Sequence, residues 1–72
     1  MNVPEALRLF FRHDCELLHV FHRYSGIEYL ISREDVQHLI DRPGDAVKGT
    51  YVKRPGSHWM GLENLSFIGP VI

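Results

Sequence analysis

A single cysteine, Cys15, is all the thiol this 72-residue sequence carries. No intrachain disulfide can form, which fits a reducing compartment and makes the cytoplasm the expected location. Long apolar runs are missing as well. The longest fall well short of the ~18 to 20 residues that span a bilayer as a helix, and no basic stretch followed by an apolar one opens the sequence, so neither a membrane span nor an export signal is expected. There is no glycine-rich phosphate loop, no pair of dinucleotide-binding glycines and no His-Glu-x-x-His arrangement, and internal repeats and low-complexity tracts are absent. The six glycines fall at turns and strand edges, where backbone freedom alone accounts for them.

Large net charge is also lacking. The formal value is −1 at pH 7, but it hides an asymmetry. Residues 1–41 carry four arginines against seven carboxylates, whereas residues 42–72 carry four cations against two carboxylates. Nucleic-acid-binding domains usually show a clustered basic excess, because neutralising phosphates and releasing counterions supplies most of their non-specific affinity. The excess here is weak, so no direct sequence-specific nucleic-acid binding is expected. An acidic DNA mimic is disfavoured for the converse reason.

What is present is a globular composition, 44% hydrophobic and 24% charged. Residues 1–72 read as a single small α+β domain, near the lower limit for a core held without disulfide, metal or partner. Val3, Ala6, Leu7, Phe10 and Phe11 recur at helical spacing behind Asn2, a residue suited to cap a helix, with Pro4 tolerated in the first turn and Arg8 and Arg12 facing water. From Glu16 to Tyr24 the period becomes two, with Leu18 and Val20 on one side and Leu17, His19 and Phe21 on the other. Ser25-Gly26 reads as a two-residue turn into a second strand over 27–31. Ser32-Arg33-Glu34-Asp35 is an N-cap followed by acidic residues, and predicts a short helix with Val36, Leu39 and Ile40 on its apolar face. Arg42-Pro43-Gly44-Asp45 stops it. A strand over 46–53, a turn at Arg54-Pro55-Gly56-Ser57 and a last strand beginning near Leu62 and ended by Gly69-Pro70 complete an α-β-β-α-β-β order. The predicted fold is a small antiparallel sheet packed against one or two helices on one face.

Five histidines invite a metal reading, with His13 near Cys15 and His19 near His22. Structural zinc sites pair their ligands on both sides of a loop, only one thiolate exists here, and His19 and His22 point to opposite faces of a strand. No metal or other cofactor is expected. Cys15 with a histidine is the only enzymatic pattern available, but no oxyanion site or orienting group accompanies it, and Asp14 and Glu16 on either side disfavour a thiolate. A structural thiol is the expectation, and a non-enzymatic protein.

The segment from Lys48 to Trp59 interleaves Lys48, Lys53, Arg54 and His58 with Tyr51 and Trp59 around a Pro-Gly turn. Such aromatics and cations serve as anchors in protein interfaces, or stack on single-stranded bases while the cations track phosphates. The weak total charge favours the protein interface. The candidate partner-binding set is Arg42, Lys53, Arg54, His58 and Trp59, with Phe10 from the first helix, since adjacent Phe10 and Phe11 lie about 100° apart and do not both need burial.

From Met1-Asn2-Val3-Pro4-Glu5, through the Ser32-Arg33-Glu34-Asp35 cap, to the Arg54-Pro55-Gly56-Ser57-His58-Trp59 turn, the sequence resembles the small phage-encoded regulators of bacterial RNA polymerase, which act as inhibitors and antiterminators. The resemblance covers the whole length through size and residue order, and assigns no role to any one residue. It implies a monomeric protein of the host cytoplasm that binds host RNA polymerase near the N-terminal region of the β′ subunit and the flap of the β subunit. It further implies weakened binding of the σ factor, blocked initiation, and antitermination during elongation. The alternatives that the residues leave open are a small single-stranded nucleic-acid-binding module and an antitoxin-like interaction protein.

Overall fold

Asn2 starts the first helix as its side chain predicts. In the computed structural model, which describes residues 1–72, Asn2 is extended and its Oδ1 accepts from the Glu5 amide at 2.9 Å, opening helix α1 (Val3–His13). Asp14 ends α1 in the left-handed region (φ 49°, ψ 51°), where its N–H donates to the Phe10 and Phe11 carbonyls. Aspartate enters this region at less cost than most residues. Ala6 and Phe10, one turn apart, are fully buried, while Val3, Leu7 and Leu9 pack against the core from the sides. Phe11 departs from the predicted stripe: it is 79% exposed, and Leu9 takes the flanking position instead.

Strands β1 (Leu17–His22) and β2 (Glu28–Ser32) pair antiparallel, from Leu17 opposite Ser32 to Phe21 opposite Glu28. The link between them is longer than a two-residue turn. It uses Gly26 at φ 73° and is closed by His22 N–H to the Ile27 carbonyl at 2.9 Å and Gly26 N–H to the His22 carbonyl at 2.8 Å. Leu18, Val20, Tyr29 and Ile31 form the buried face, matching the period-two reading, with Leu17, His19, Phe21, Glu28 and Leu30 on the other side. Ser32 then caps α2 (Arg33–His38), its hydroxyl accepting from the Asp35 amide at 3.1 Å. Val36 and Leu39 join the core, but Ile40 is 61% exposed because the helix ends before it.

The remaining chain forms three strands where two were expected: β3 (Val47–Tyr51), β4 (Ser57–Met60) and, after a 3₁₀ turn at Leu62–Asn64, β5 (Leu65–Val71). The predicted final strand stops at Gly69-Pro70, whereas β5 continues through both residues. Proline is tolerated there because β5 is an edge strand. The five strands form one antiparallel sheet in the order β4-β3-β2-β1-β5, with a bulge in β5, where Ile68 is the extra residue opposite His19 and Val20. The protein is α+β, as its sequence predicts. Ala6 and Phe10 of α1, with Val36 of α2 and Leu39 at its C-terminal end, meet Leu18, Val20, Tyr29, Ile31, Val47, Met60 and Leu65 in one buried cluster, so both helices cover the same face of the sheet.

Two ties hold the first helix and the β1–β2 end to the last strand. The Met1 ammonium donates to the Leu65 carbonyl at 2.8 Å, and burial lowers its pKa from 8.0. Arg23 donates from Nη2 to the Glu63 carbonyl at 2.8 Å and from its backbone N–H to the Asn64 carbonyl at 2.9 Å. No helix is long and apolar enough to cross a membrane.

Candidate partner-binding hairpin

The β3–β4 hairpin owes its reversal to Arg54-Pro55-Gly56. Gly56 takes φ 110°, and the Tyr51 amide donates to its carbonyl at 3.1 Å. Register then fixes the faces: Val47 lies opposite Met60, Lys48 opposite Trp59, Gly49 opposite His58 and Thr50 opposite Ser57. Val47 and Met60 are buried, so Gly49, Tyr51 and His58 share the helix side of the sheet, while Lys48, Thr50, Ser57 and Trp59 share the open side. The hairpin thus divides the predicted binding residues between two faces.

On the helix side, Tyr29 is the platform. Its ring lies 5.1 Å from that of Tyr51 and 6.5 Å from that of His58, and the Arg54 guanidinium stands 4.2 Å above the Tyr51 ring, a cation–π contact. Burial raises the Tyr29 pKa above 10.0, and the neighbouring Tyr51 adds to the shift, with Arg54 opposing. Arg54 and His58 are therefore exposed groups resting on an ordered aromatic base.

On the open side, Trp59 is 62% exposed beside Lys48. A tryptophan left this far in water on a short edge strand is unusual, since burial is the larger part of what indole contributes to stability. Lys53 does not join it. Its ammonium reaches back to Glu28 Oε2 at 3.4 Å, and His19 Nε2 approaches Glu28 Oε1 at 2.7 Å, close but too poorly aligned for a directed hydrogen bond. The Glu28 carboxyl is held below 4.5 first by Lys53 and then by His19, with partial desolvation opposing.

Arg42 sits in the α2–β3 connection, 4.0 Å from Asp45, and both are largely exposed. It lines a groove of about 480 Å³ together with Asp35, His38, Asp41, Asp45 and Trp59. Phe10 has no exposed surface at all, and is corrected from a partner-binding residue to a core residue. The aromatic that α1 shows to water is Phe11. Helical spacing narrows the choice to these two neighbours, but only the packing of α1 on the sheet decides between them.

Cys15 is 6% exposed within the core cluster, and the His13 ring is stacked on Phe67 at 5.7 Å. No three His, Cys, Asp or Glu side chains converge in a metal-holding group. The sequence reading missed two features, the His19–Glu28–Lys53 cluster and the acidic groove. Each joins residues whose proximity depends on strand register, which alternation does not reveal.

No family model, curated protein or solved structure matches this chain.

Proposed function

We propose that this protein is a non-enzymatic regulator that binds host bacterial RNA polymerase near the β′ N-terminal region and the β flap and inhibits initiation by weakening σ binding, with antitermination as a second effect. The choice of polymerase rests on the resemblance of the whole sequence. The surface rests on one observation: Trp59, exposed beside Lys48 on an edge hairpin whose other face presents Arg54 and His58. Tryptophan and arginine dominate the energetics of protein interfaces because each offers a large, rigid contact together with a polar handle. A hairpin held by the Tyr29–Tyr51 contact loses little freedom on docking. The weak net charge favours a patterned protein surface over a phosphate backbone.

Two polymerase-facing functions follow from one binding event. If σ and this protein use linked surfaces of the enzyme, each lowers the apparent affinity of the other by mass action. The test is binding of purified core polymerase to the immobilised protein at moderate salt. Trp59→Ala is expected to weaken binding by about 30-fold, the equivalent of about 2 kcal/mol. Absence of polymerase binding, with salt-steep quenching of Trp59 by an oligonucleotide, would transfer the reading to a single-stranded nucleic-acid module.

A further inference from the structure

The two edges of the sheet are not equivalent. β5 carries Gly69 and Pro70 and is itself bulged at Ile68, features that blunt an edge against further pairing. β4, Ser57-His58-Trp59-Met60, has no proline, no lysine and no bulge. Its hydrogen-bond pattern follows from two contacts. Tyr51 N–H to the Gly56 carbonyl makes 51 and 56 a bonded pair, so by antiparallel alternation 49 with 58 and 47 with 60 are bonded as well. Val52 N–H to the Glu28 carbonyl places the bonds of even-numbered β3 residues on the β2 side, consistent with that alternation. The N–H and C=O groups of Ser57 and Trp59 therefore point away from β3, out of the sheet.

Beside this edge lies the groove that runs from Trp59 to Asp35, Asp41 and Asp45. It sets three carboxylates against one guanidinium, Arg42, whose 4.0 Å pairing with Asp45 is exposed and weak. The groove has a local acidic excess, built from Asp35 and Asp41 of the acidic first part of the sequence and Asp45 of the second.

We infer that the outer edge of β4 accepts an extended segment of the partner as a sixth strand, with cationic side chains on its helix side over the acidic groove and apolar side chains on its open side against Trp59. The inference rests on the proposed protein-binding function and specifies its mode. Main-chain bonds to Ser57 and Trp59 give affinity, and alternation of the segment's side chains gives selectivity. Cations separated by two residues along such a strand project to one face, the face that carries the carboxylates. Of the cationic side chains of the hairpin, Lys48 lies on the opposite side, Lys53 is engaged by Glu28, and Arg54, on the helix side, is held over the Tyr51 ring.

The experiment is a titration of isotope-labelled protein with a capped peptide alternating valine and arginine, and with its valine–glutamate counterpart, followed by amide shifts and hydrogen exchange. The arginine peptide is expected to shift the Ser57 and Trp59 amides and slow their exchange about tenfold, and the glutamate peptide to do neither. Ser57→Pro removes an outward N–H without touching the β3 ladder and should weaken binding about tenfold. Asp41→Asn combined with Asp45→Asn should weaken it several-fold and keeps the test valid should the proline variant fail to fold. Equal response to both peptides, shifts confined to another surface, or no response at millimolar arginine peptide overturns the inference. Core polymerase captured equally by wild type and a folded Ser57→Pro variant overturns the edge mode alone. Failure of wild type to capture polymerase, with the arginine peptide still bound at the edge, overturns the choice of polymerase alone.

Discussion

The rings of Tyr29 and His58 stack 6.5 Å apart across an intervening strand because Gly49, between them on β3, has no side chain. A Cβ built there would lie 2.8 Å from Met60 Cε, 3.0 Å from Tyr29 Cδ1 and 3.1 Å from Tyr29 Cβ. The methionine tip is the end of a flexible side chain, but the tyrosine Cβ is fixed to its backbone. One glycine thus couples the buried platform to the exposed histidine of the hairpin.

Gly49→Ala should destabilise the protein by about 1–3 kcal/mol through overpacking, and should disturb the His58 environment. Thermal unfolding and the His58 ring proton shifts are the measurements. An unchanged melting temperature would mean that the close approach of Tyr29 does not hold in solution.

Phe10→Ala and Phe11→Ala separate core from surface on α1. The first empties a fully buried site and should cost about 3–5 kcal/mol, enough to unfold much of a domain this small. The second removes a ring that is 79% exposed and should change stability by no more than about 0.5 kcal/mol. Urea unfolding of both variants tests the assignment. Comparable losses would place both rings in the core.

Glu28 gives the fold an acid-sensitive contact. Its pKa in the folded chain lies below 4.5, chiefly through Lys53 and next through His19. The unfolded chain therefore takes up the proton first. The stabilisation is complete above pH 4.5 and disappears as pH falls through the lowered value. Glu28→Gln should lose the contact's contribution above pH 4.5 and converge on wild type at lower pH, flattening this part of the pH–stability profile, and because Lys53 is 81% exposed, added salt should weaken the effect. A mutant profile that parallels wild type below pH 4.5 would rule the contact out as a contributor.

Tyr29 supplies the alkaline counterpart. Its raised pKa means that the folded state keeps the phenol neutral after the unfolded chain has ionised, so this stability is present below pH 10.0 and is lost as pH climbs through the folded value. Absorbance titration should show a tyrosine step above 10.0 that Tyr29→Phe abolishes. Persistence of that step in Tyr29→Phe would contradict the buried platform.

Much of this fold was legible in residue order, where local chemistry and tertiary packing agree. Asn2 and Ser32 start the two helices through the same side-chain to amide bond, and the alternation of Leu18 and Val20 with Tyr29 and Ile31 marks the buried face of the first hairpin. Agreement failed where burial is decided by neighbours distant in sequence. Strand β4 has one buried residue in four, Met60, so its sequence reads as the continuation of a turn. Pro70 resembles a strand terminator, yet on an edge strand its missing N–H interrupts no bond between the strands of the sheet. The binding residues were identified by type, but their division into Trp59 on one face and Arg54 and His58 on the other follows from the register of β3 with β4. Phe10 was misassigned for a related reason: a helical period marks a stripe and does not locate its centre.

A σ-release assay on purified bacterial holoenzyme decides whether this protein displaces σ. Addition of this protein is expected to form a complex with core polymerase, liberate σ and abolish promoter-dependent initiation, with Trp59→Ala requiring about 30-fold more protein for the same effect. Retention of σ with undiminished initiation at saturating protein would contradict the account.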